Sequence, residues 1–192
     1  MSRLIGLGGY ARSGKDAIAA ILERHGWYRT FMSKPLHRAM LALDPIITLD
    51  HWDDLSVRYS ELIESRGYEK AKAEFSEVRR LLQVLGTEVG RGILGEDAWI
   101  DTIEEELGDA WAADPSRPQV VTGIRFPNEI ARIRSLGGEL IWVERPGFGP
   151  TNGHASETTL GPHDFDEVLH NCEDLAGLER RVRNQITLGQ PT

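Results

Sequence analysis

Gly9-Tyr10-Ala11-Arg12-Ser13-Gly14-Lys15-Asp16 decides how this chain is read. The octapeptide has the spacing G-x-x-x-x-G-K. It follows the short apolar run Leu4-Ile5-Gly6-Leu7 and precedes residues 15–24, where Ile18, Ile21 and Leu22 recur at helical spacing before Gly26. A continuous apolar run suits a strand buried on both faces of a parallel sheet. Strand, glycine turn and helix in that order are the context in which this spacing forms a phosphate-binding loop. Glycines let successive backbone N–H groups curl around phosphate oxygens. The helix that starts near Lys15 adds its positive end and its unpaired donors. Gly9, Arg12, Ser13, Gly14 and Lys15 are therefore expected contacts of a polyphosphate, with Lys15 as the mobile charge on the outer phosphates. Asp16 stands where Ser or Thr is usual. Its carboxylate is a hard oxygen donor suited to Mg2+, directly or through water; the same charge also complements the helix dipole.

Outward from the loop, strand-like and helical stretches alternate. Residues 27–31 read as a strand and residues 34–43 as a helix with Pro35 in its first turn. Asp50 is expected to cap a helix carrying Trp52, Leu55, Tyr59, Leu62 and Ile63. Residues 76–90 are the clearest amphipathic stretch, with Val78, Leu81, Leu82, Leu85 and Val89 as the apolar stripe. Arg80, Gln83 and Thr87 share the opposite face, with Arg79 beside them. Asp97 precedes a helix with Trp99, Ile103, Leu107 and Trp111 inward. Strands are expected at 119–122, 140–143 and 168–170, and helices at 127–136 and from Leu175 to Ile186, the last lined by Leu175, Leu178, Val182 and Ile186. This alternation implies crossover units and a mainly parallel sheet covered on both faces. The expectation is an α/β, three-layer fold with a mainly parallel sheet, forming a single domain over residues 1–192, with a helical insertion at about 44–76.

Composition excludes several classes. At 192 residues the chain is long enough for a core without staples. Hydrophobic residues make up 40% and charged residues 27%, which is globular usage. The net charge of −8 counts against a protein that coats duplex DNA, although one local basic pocket suffices for a small anion. Cys172 is the single cysteine, so no intrachain disulfide forms and a reducing compartment is the simpler expectation. No apolar run approaches the length of a membrane span, and Met1-Ser2-Arg3-Leu4 leads into a strand-like segment, where a secretory leader would be apolar and longer. The histidines show no metal-ligand spacing.

The segment Ala11–Asp16 resembles the variant phosphate loop of bacteriophage deoxynucleoside monophosphate kinases, which also carry Asp after the Lys. Three further segments match in order: residues 78–88 (VRRLLQVLGTE), 121–129 (VTGIRFPNE) and 137–147 (GGELIWVERPG). The resemblance implies a P-loop kinase that uses ATP and Mg2+, with small-molecule nucleotides as partners. It is compatible with a homodimer and with the cytoplasm of a host cell if the gene is a phage's. It implies ATP contacts from Gly9, Arg12, Ser13, Gly14, Lys15, Asp16 and Asn171, with Asp16 on the metal. It implies acceptor contacts from Arg79, Arg80, Gln83, Thr87 and Glu88. Lys15, Arg125 and Arg145 are the expected catalytic cations, since guanidinium forks suit phosphate and developing phosphoryl charge. One departure stands out: the family usually has Asp where this chain has Gly123, which leaves Mg2+ to ATP, water and Asp16.

The expected reaction is phosphoryl transfer from ATP to a deoxynucleoside monophosphate. Two alternatives stay open at this point. One is a kinase acting on a hydroxymethyl-pyrimidine base in phage DNA, against which the net charge counts. The other is a nucleotide-binding protein without catalysis. His154, Ser156 and Glu157 lie in a glycine-flanked segment and read as a solvent-exposed loop, with a lid or acceptor contact as the alternative. Base preference is not legible in one sequence.

Overall fold

The computed structural model describes residues 2–49, 55–150 and 153–186. In chain order the elements are β1 (Leu4–Gly8), α1 (Lys15–Arg24), β2 (Tyr28–Phe31), α2 (Lys34–Leu43), β3 (Ile46–Thr48), β4 (Ser56–Arg58), α3 (Tyr59–Arg66), α4 (Tyr68–Glu74), α5 (Ser76–Gln83), a π-helical segment (Val84–Leu94), α6 (Ala98–Ala113), β5 (Gln119–Ile124), α7 (Pro127–Ser135), β6 (Glu139–Glu144), α8 (Ala155–Thr158), a 3-10 turn (Pro162–Asp164), β7 (Glu167–His170) and α9 (Leu175–Gln185). They divide into two compact units, one of residues 1–32 with 103–192 and one of residues 33–102. The second unit contains the stretch at 44–76 that sequence marks as an insertion.

The first unit is built on a five-stranded sheet of order β2-β5-β1-β6-β7, parallel throughout. Its β1 is buried at every position, as an apolar run between two helical layers must be. Ile5, Leu7, Val120, Ile141, Val143 and Leu169 turn to one face and pack on Ile18, Ile21 and Leu22 of α1 and Leu178 and Val182 of α9. On the other face Ile133 of α7 lies against Gly6, beside Leu140 and Ile124. Each fully buried Leu or Ile contributes about 1.5–3 kcal/mol, which fixes which strand face meets which helix. In such a sheet the ligand crevice opens at the carboxyl ends of the strands, where the order reverses around the central strand. Here residues 9–14 leave β1, Arg125 follows β5, Arg145 follows β6 and Asn171 follows β7 at that edge.

The β1–β5 ladder carries a bulge at this edge. Leu7 pairs with Thr122, but Gly8 pairs with Ile124, so Gly123 is the extra residue. Its φ is +86°, a left-handed value that a residue with a Cβ reaches only under strain.

The second unit packs Met40, Ile47, Tyr59, Leu62, Ala71, Phe75, Val78 and Leu82 into its own core. Here two expectations are corrected. The helix expected from Asp50 starts at Tyr59 instead. Residues 56–58 form β4 and pair antiparallel with β3, Ile47 opposite Val57. Asp44 accepts the Ser60 N–H at 2.8 Å and Glu61 accepts the Arg58 N–H at 3.2 Å, which satisfies the helix start at that point. Asp50 and Trp52 lie outside the described residues. The amphipathic helix expected to reach Gly90 ends as α-helix at Gln83 and continues as a π-helix to Leu94. Trp99 is seated there: its indole N–H donates to the Gly86 carbonyl at 2.8 Å, and a Cβ at Gly90 would run into its ring. In the first unit, Leu175 is 61% exposed, so the inward stripe of α9 begins at Leu178; Asp174 caps the helix through the Gly177 N–H. No helix among the described residues is long and apolar enough to cross a membrane.

Candidate active site

The loop between β1 and α1 is shaped as its sequence predicts. Gly14, at φ +103°, is the left-handed residue that turns the chain into α1, and Asn171 lies where a Cβ at Gly14 would stand. Arg12 is also left-handed, at φ +65°, a conformation that costs a non-glycine residue about 1–3 kcal/mol and clusters at ligand clamps. The Ser13 N–H donates to the Tyr10 carbonyl at 3.1 Å and closes the turn. Ser13 Oγ is buried and has no hydrogen-bond partner among the described residues. Lys15 is only 7% exposed, and its Nζ donates to the Tyr10 carbonyl at 3.1 Å, so the ammonium lies across the loop.

Asp16 sits in the first turn of α1, where its charge complements the helix. Its Oδ1 accepts a hydrogen bond from the Thr122 hydroxyl at 3.0 Å. Arg145 donates to the Arg12 carbonyl at 3.4 Å and lies over the Phe148 ring, 4.7 Å from its centroid. Asn171, 8% exposed, donates its side-chain N–H to the Ser13 carbonyl at 2.9 Å, while its backbone N–H donates to Glu144. The side-chain amide of Asn171, an expected ATP contact, thus donates to the phosphate loop.

Arg125 follows the bulge and lines a small open cleft with Gly9, Tyr10, Trp142, Glu157 and Leu160 among others. There its guanidinium donates to Glu157 at 2.6 Å and to the Ser156 carbonyl at 3.0 Å. Glu157 is nearly buried, at 9% side-chain exposure. Thus Ser156 and Glu157, expected in a solvent-exposed loop, line the cleft beside the phosphate loop. His154 caps their short helix by accepting the Ser156 N–H. Glu129 fixes the chain at this corner: its carboxylate accepts the N–H groups of Arg125 at 2.7 Å and Phe126 at 3.2 Å.

The loop residues, Asp16, Arg125, Arg145 and Asn171 all belong to the first unit, and Arg79, Arg80, Gln83, Thr87 and Glu88 to the second. Arg80 is exposed and makes a two-pronged bond with Glu77 one turn back, which holds its charge more firmly than usual. Arg79 donates to the Lys72 carbonyl at 3.4 Å. Thr87 and Glu88 fall in the π-helical segment, whose wider turn breaks the 3.6-residue face that Thr87 was expected to share with Arg80 and Gln83.

Sequence reading passed over Thr122, Glu129 and Trp142. The signal for Glu129 was present: Pro127 and Glu129 stand at the first and third helical positions, a capping pattern. Thr122 had only its polarity at a strand end to mark it.

Comparison with known proteins matches residues 36–182 to the family described as deoxynucleotide monophosphate kinase. A protein of Acanthamoeba polyphaga mimivirus, provisionally named a deoxynucleotide monophosphate kinase, is 30% identical over 177 residues, 88% of each chain. The deoxynucleotide monophosphate kinase of Enterobacteria phage T4 is 28% identical over 109 residues, 57% of this chain and 45% of the phage protein. That of Escherichia phage RB69 is 30% identical over 105 residues, 55% of this chain and 43% of its own. Among solved structures, TT1252 from Thermus thermophilus superposes with a TM-score of 0.56 at 18% identity, covering 99% of both chains, a likeness of fold. The phosphate loop at the edge of a parallel sheet and the match along most of the sequence agree, and the chain belongs to the deoxynucleotide monophosphate kinase family, a family of phosphotransferases.

Proposed function

We propose that the protein transfers the γ-phosphoryl group of ATP to the phosphate of a deoxynucleoside monophosphate, giving ADP and a deoxynucleoside diphosphate. The observation that carries this reading is the phosphate loop, with Lys15 drawn across it and a buried Ser13 hydroxyl unpartnered among the described residues. An acceptor phosphate oxygen attacks the γ-phosphorus, the bond from that phosphorus to the β,γ-bridging oxygen breaks, and ADP leaves with the bond's electron pair. A phosphate monoester has a second pKa of about 6, so the acceptor is already mostly dianionic at neutral pH and needs no protein base. The protein's work is therefore positioning and charge neutralisation.

Backbone N–H groups of residues 9–15 and the start of α1 take the donor phosphates, with Lys15 on the outer ones. Arg12 and Arg145 flank the loop and face the charge that develops on the transferred group. Arg125 binds phosphate by exchanging Glu157 for a dianion, a stronger partner for a guanidinium fork. Arg79, Arg80, Gln83, Thr87 and Glu88 serve the acceptor nucleotide, Arg80 leaving an exposed pair with Glu77 that is weak enough to yield. Asn171 acts on ATP through the loop it supports.

The residues fit Mg2+: Asp16 offers one hard oxygen donor beside the loop, and this ion takes one or two carboxylates with substrate phosphates and water. When bound with ATP it neutralises charge on the β- and γ-phosphates.

A coupled assay of ADP release across the four deoxynucleoside monophosphates tests the reading. At least one is expected to be turned over. Lys15→Ala is expected to lower kcat by about a hundredfold or more, the scale of losing one preorganised charge, with the melting temperature little changed. ADP release at the wild-type rate in that variant, or with no monophosphate in the wild type, overturns the proposal.

A further inference from the structure

β5 holds two buried polar side chains, Gln119 and Thr122. Gln119 has a structural role, donating to the Leu107 carbonyl at 3.1 Å and so joining α6 to the sheet. Thr122 does something else. It is 1% exposed, it is the last residue of β5 paired with β1 before the bulge, and its hydroxyl donates to Asp16 Oδ1 across 106 positions of sequence.

Phosphate-loop enzymes ordinarily take a hydroxyl from the loop residue after the Lys and a carboxylate from a neighbouring strand, and together these serve the metal. In this chain the carboxylate stands after the Lys, at Asp16, and the hydroxyl stands on the strand, at Thr122. We infer that the two groups have exchanged places, and that Thr122 is the positioning residue that holds the Asp16 carboxylate for the Mg2+ of Mg·ATP. The inference rests on the reading of the loop as the ATP site.

The hydrogen bond occupies Oδ1, and Oδ2 has no partner among the described residues. An Asp near the start of a helix otherwise rotates freely between helix N–H groups and solvent. A buried donor on a rigid strand removes that freedom before the metal arrives, which is where the gain in affinity lies.

Titration calorimetry of a non-hydrolysable ATP analogue, with Mg2+ and with EDTA, separates this role from a packing role. The wild type is expected to bind more tightly with Mg2+. Thr122→Val is expected to reduce that Mg2+-dependent gain about tenfold while changing affinity in EDTA by less than about twofold, as removal of one bond to a charged group implies. Its kcat is expected to fall with KM for the monophosphate unchanged. Thr122→Ser, which keeps the hydroxyl, is expected to restore the gain. If Thr122→Val does not fold, Thr122→Cys fills the same space with a weak donor and carries the same expectation. An undiminished gain, an equal loss with and without Mg2+, or failure of Ser to restore it overturns the inference while leaving the ATP site in place. Absence of Mg·ATP binding by the wild type overturns both.

Discussion

Gly123 separates a demand of the backbone from a demand of the chemistry. A Cβ added there would meet Met32 Cβ at 3.8 Å and Met32 N at 4.0 Å, which is ordinary contact. Space does not exclude a Cβ there. The φ of +86° is another matter, because residues other than glycine held in sparsely populated backbone regions cost about 1–3 kcal/mol. Asn and Asp tolerate left-handed values better than other residues, through hydrogen bonds to their own backbone. Gly123→Ala is therefore expected to cost about 1–2 kcal/mol and Gly123→Asn about half of that. For a chain of this length 1 kcal/mol shifts the melting temperature by about 2–4 °C, so Ala lowers it by about 2–8 °C. The smaller side chain is thus the more damaging one, an order that steric crowding would reverse. Gly123→Asp restores the residue that the family usually carries. It is expected to match Asn in stability at high salt and to fall below it at low salt, where repulsion from Asp16 is less screened. Thermal denaturation followed by circular dichroism, at two salt concentrations, reads all three variants. An Ala variant as stable as wild type, or more stable than Asn, would refute the argument that conformation selects this glycine.

Asn171→Ala removes the donor to the Ser13 carbonyl and leaves a buried acceptor unpaired, a loss of about 1–3 kcal/mol. ATP affinity by calorimetry is expected to fall about tenfold with KM for the monophosphate unchanged, and an unaltered ATP affinity would show that the loop does not depend on this contact. His37 supplies a pH dependence in the second unit: burial lowers its pKa from the usual 6.5, and its Nδ1 lies 2.8 Å from the Tyr59 hydroxyl. A histidine whose folded pKa is depressed gives stability that is complete above 6.5 and is lost as pH falls toward the lower folded value, because the unfolded chain takes up the proton first. Melting curves from about pH 7.5 to pH 5 are expected to show this loss, His37→Asn should flatten it, and an unchanged slope in that variant excludes His37 as its source.

The parts of the fold legible in the sequence are those whose partners are close in the chain or whose burial is uniform. Leu4–Gly8 reads as a central strand because it is apolar on both faces, and Lys15–Arg24 reads as a helix because one face meets the sheet. The β3–β4 hairpin was hidden for a definite reason. Leu55, Tyr59, Leu62 and Ile63 satisfy helical spacing by themselves, and that pattern reaches back over the strand at Ser56–Arg58. The opposing signal, Ile46 exposed, Ile47 buried, Thr48 exposed, is only three residues long and gains meaning when its partner is known. The π-helical turn after Gln83 had still less to mark it. Gly86, Gly90 and Gly92 weaken an α-helix there, but the wider coil is settled by Trp99, which arrives from the next helix.

The candidate site divides along the same line. Lys15 and Asp16 are legible because a phosphate loop is a local object, with its glycines, its cation and its helix start in eight consecutive residues. What holds those groups in place is remote: Thr122 for Asp16, Asn171 for Ser13, Arg145 for Arg12. Each comes from the carboxyl end of a different strand, and only the parallel sheet brings the ends together. Arg125 shows the consequence. Phosphate binding and a structural ion pair are competing readings of one arginine in a sequence, and the proposed function takes them as successive states of a single group. The Glu157 carboxylate, nearly buried and brought in from 32 residues away, holds the guanidinium in the cleft, and on the proposed function a dianion of higher charge replaces it. A cation pre-aimed in this way loses less freedom on binding than one waving in solvent, which is why the pair strengthens the case for Arg125 as a phosphate ligand.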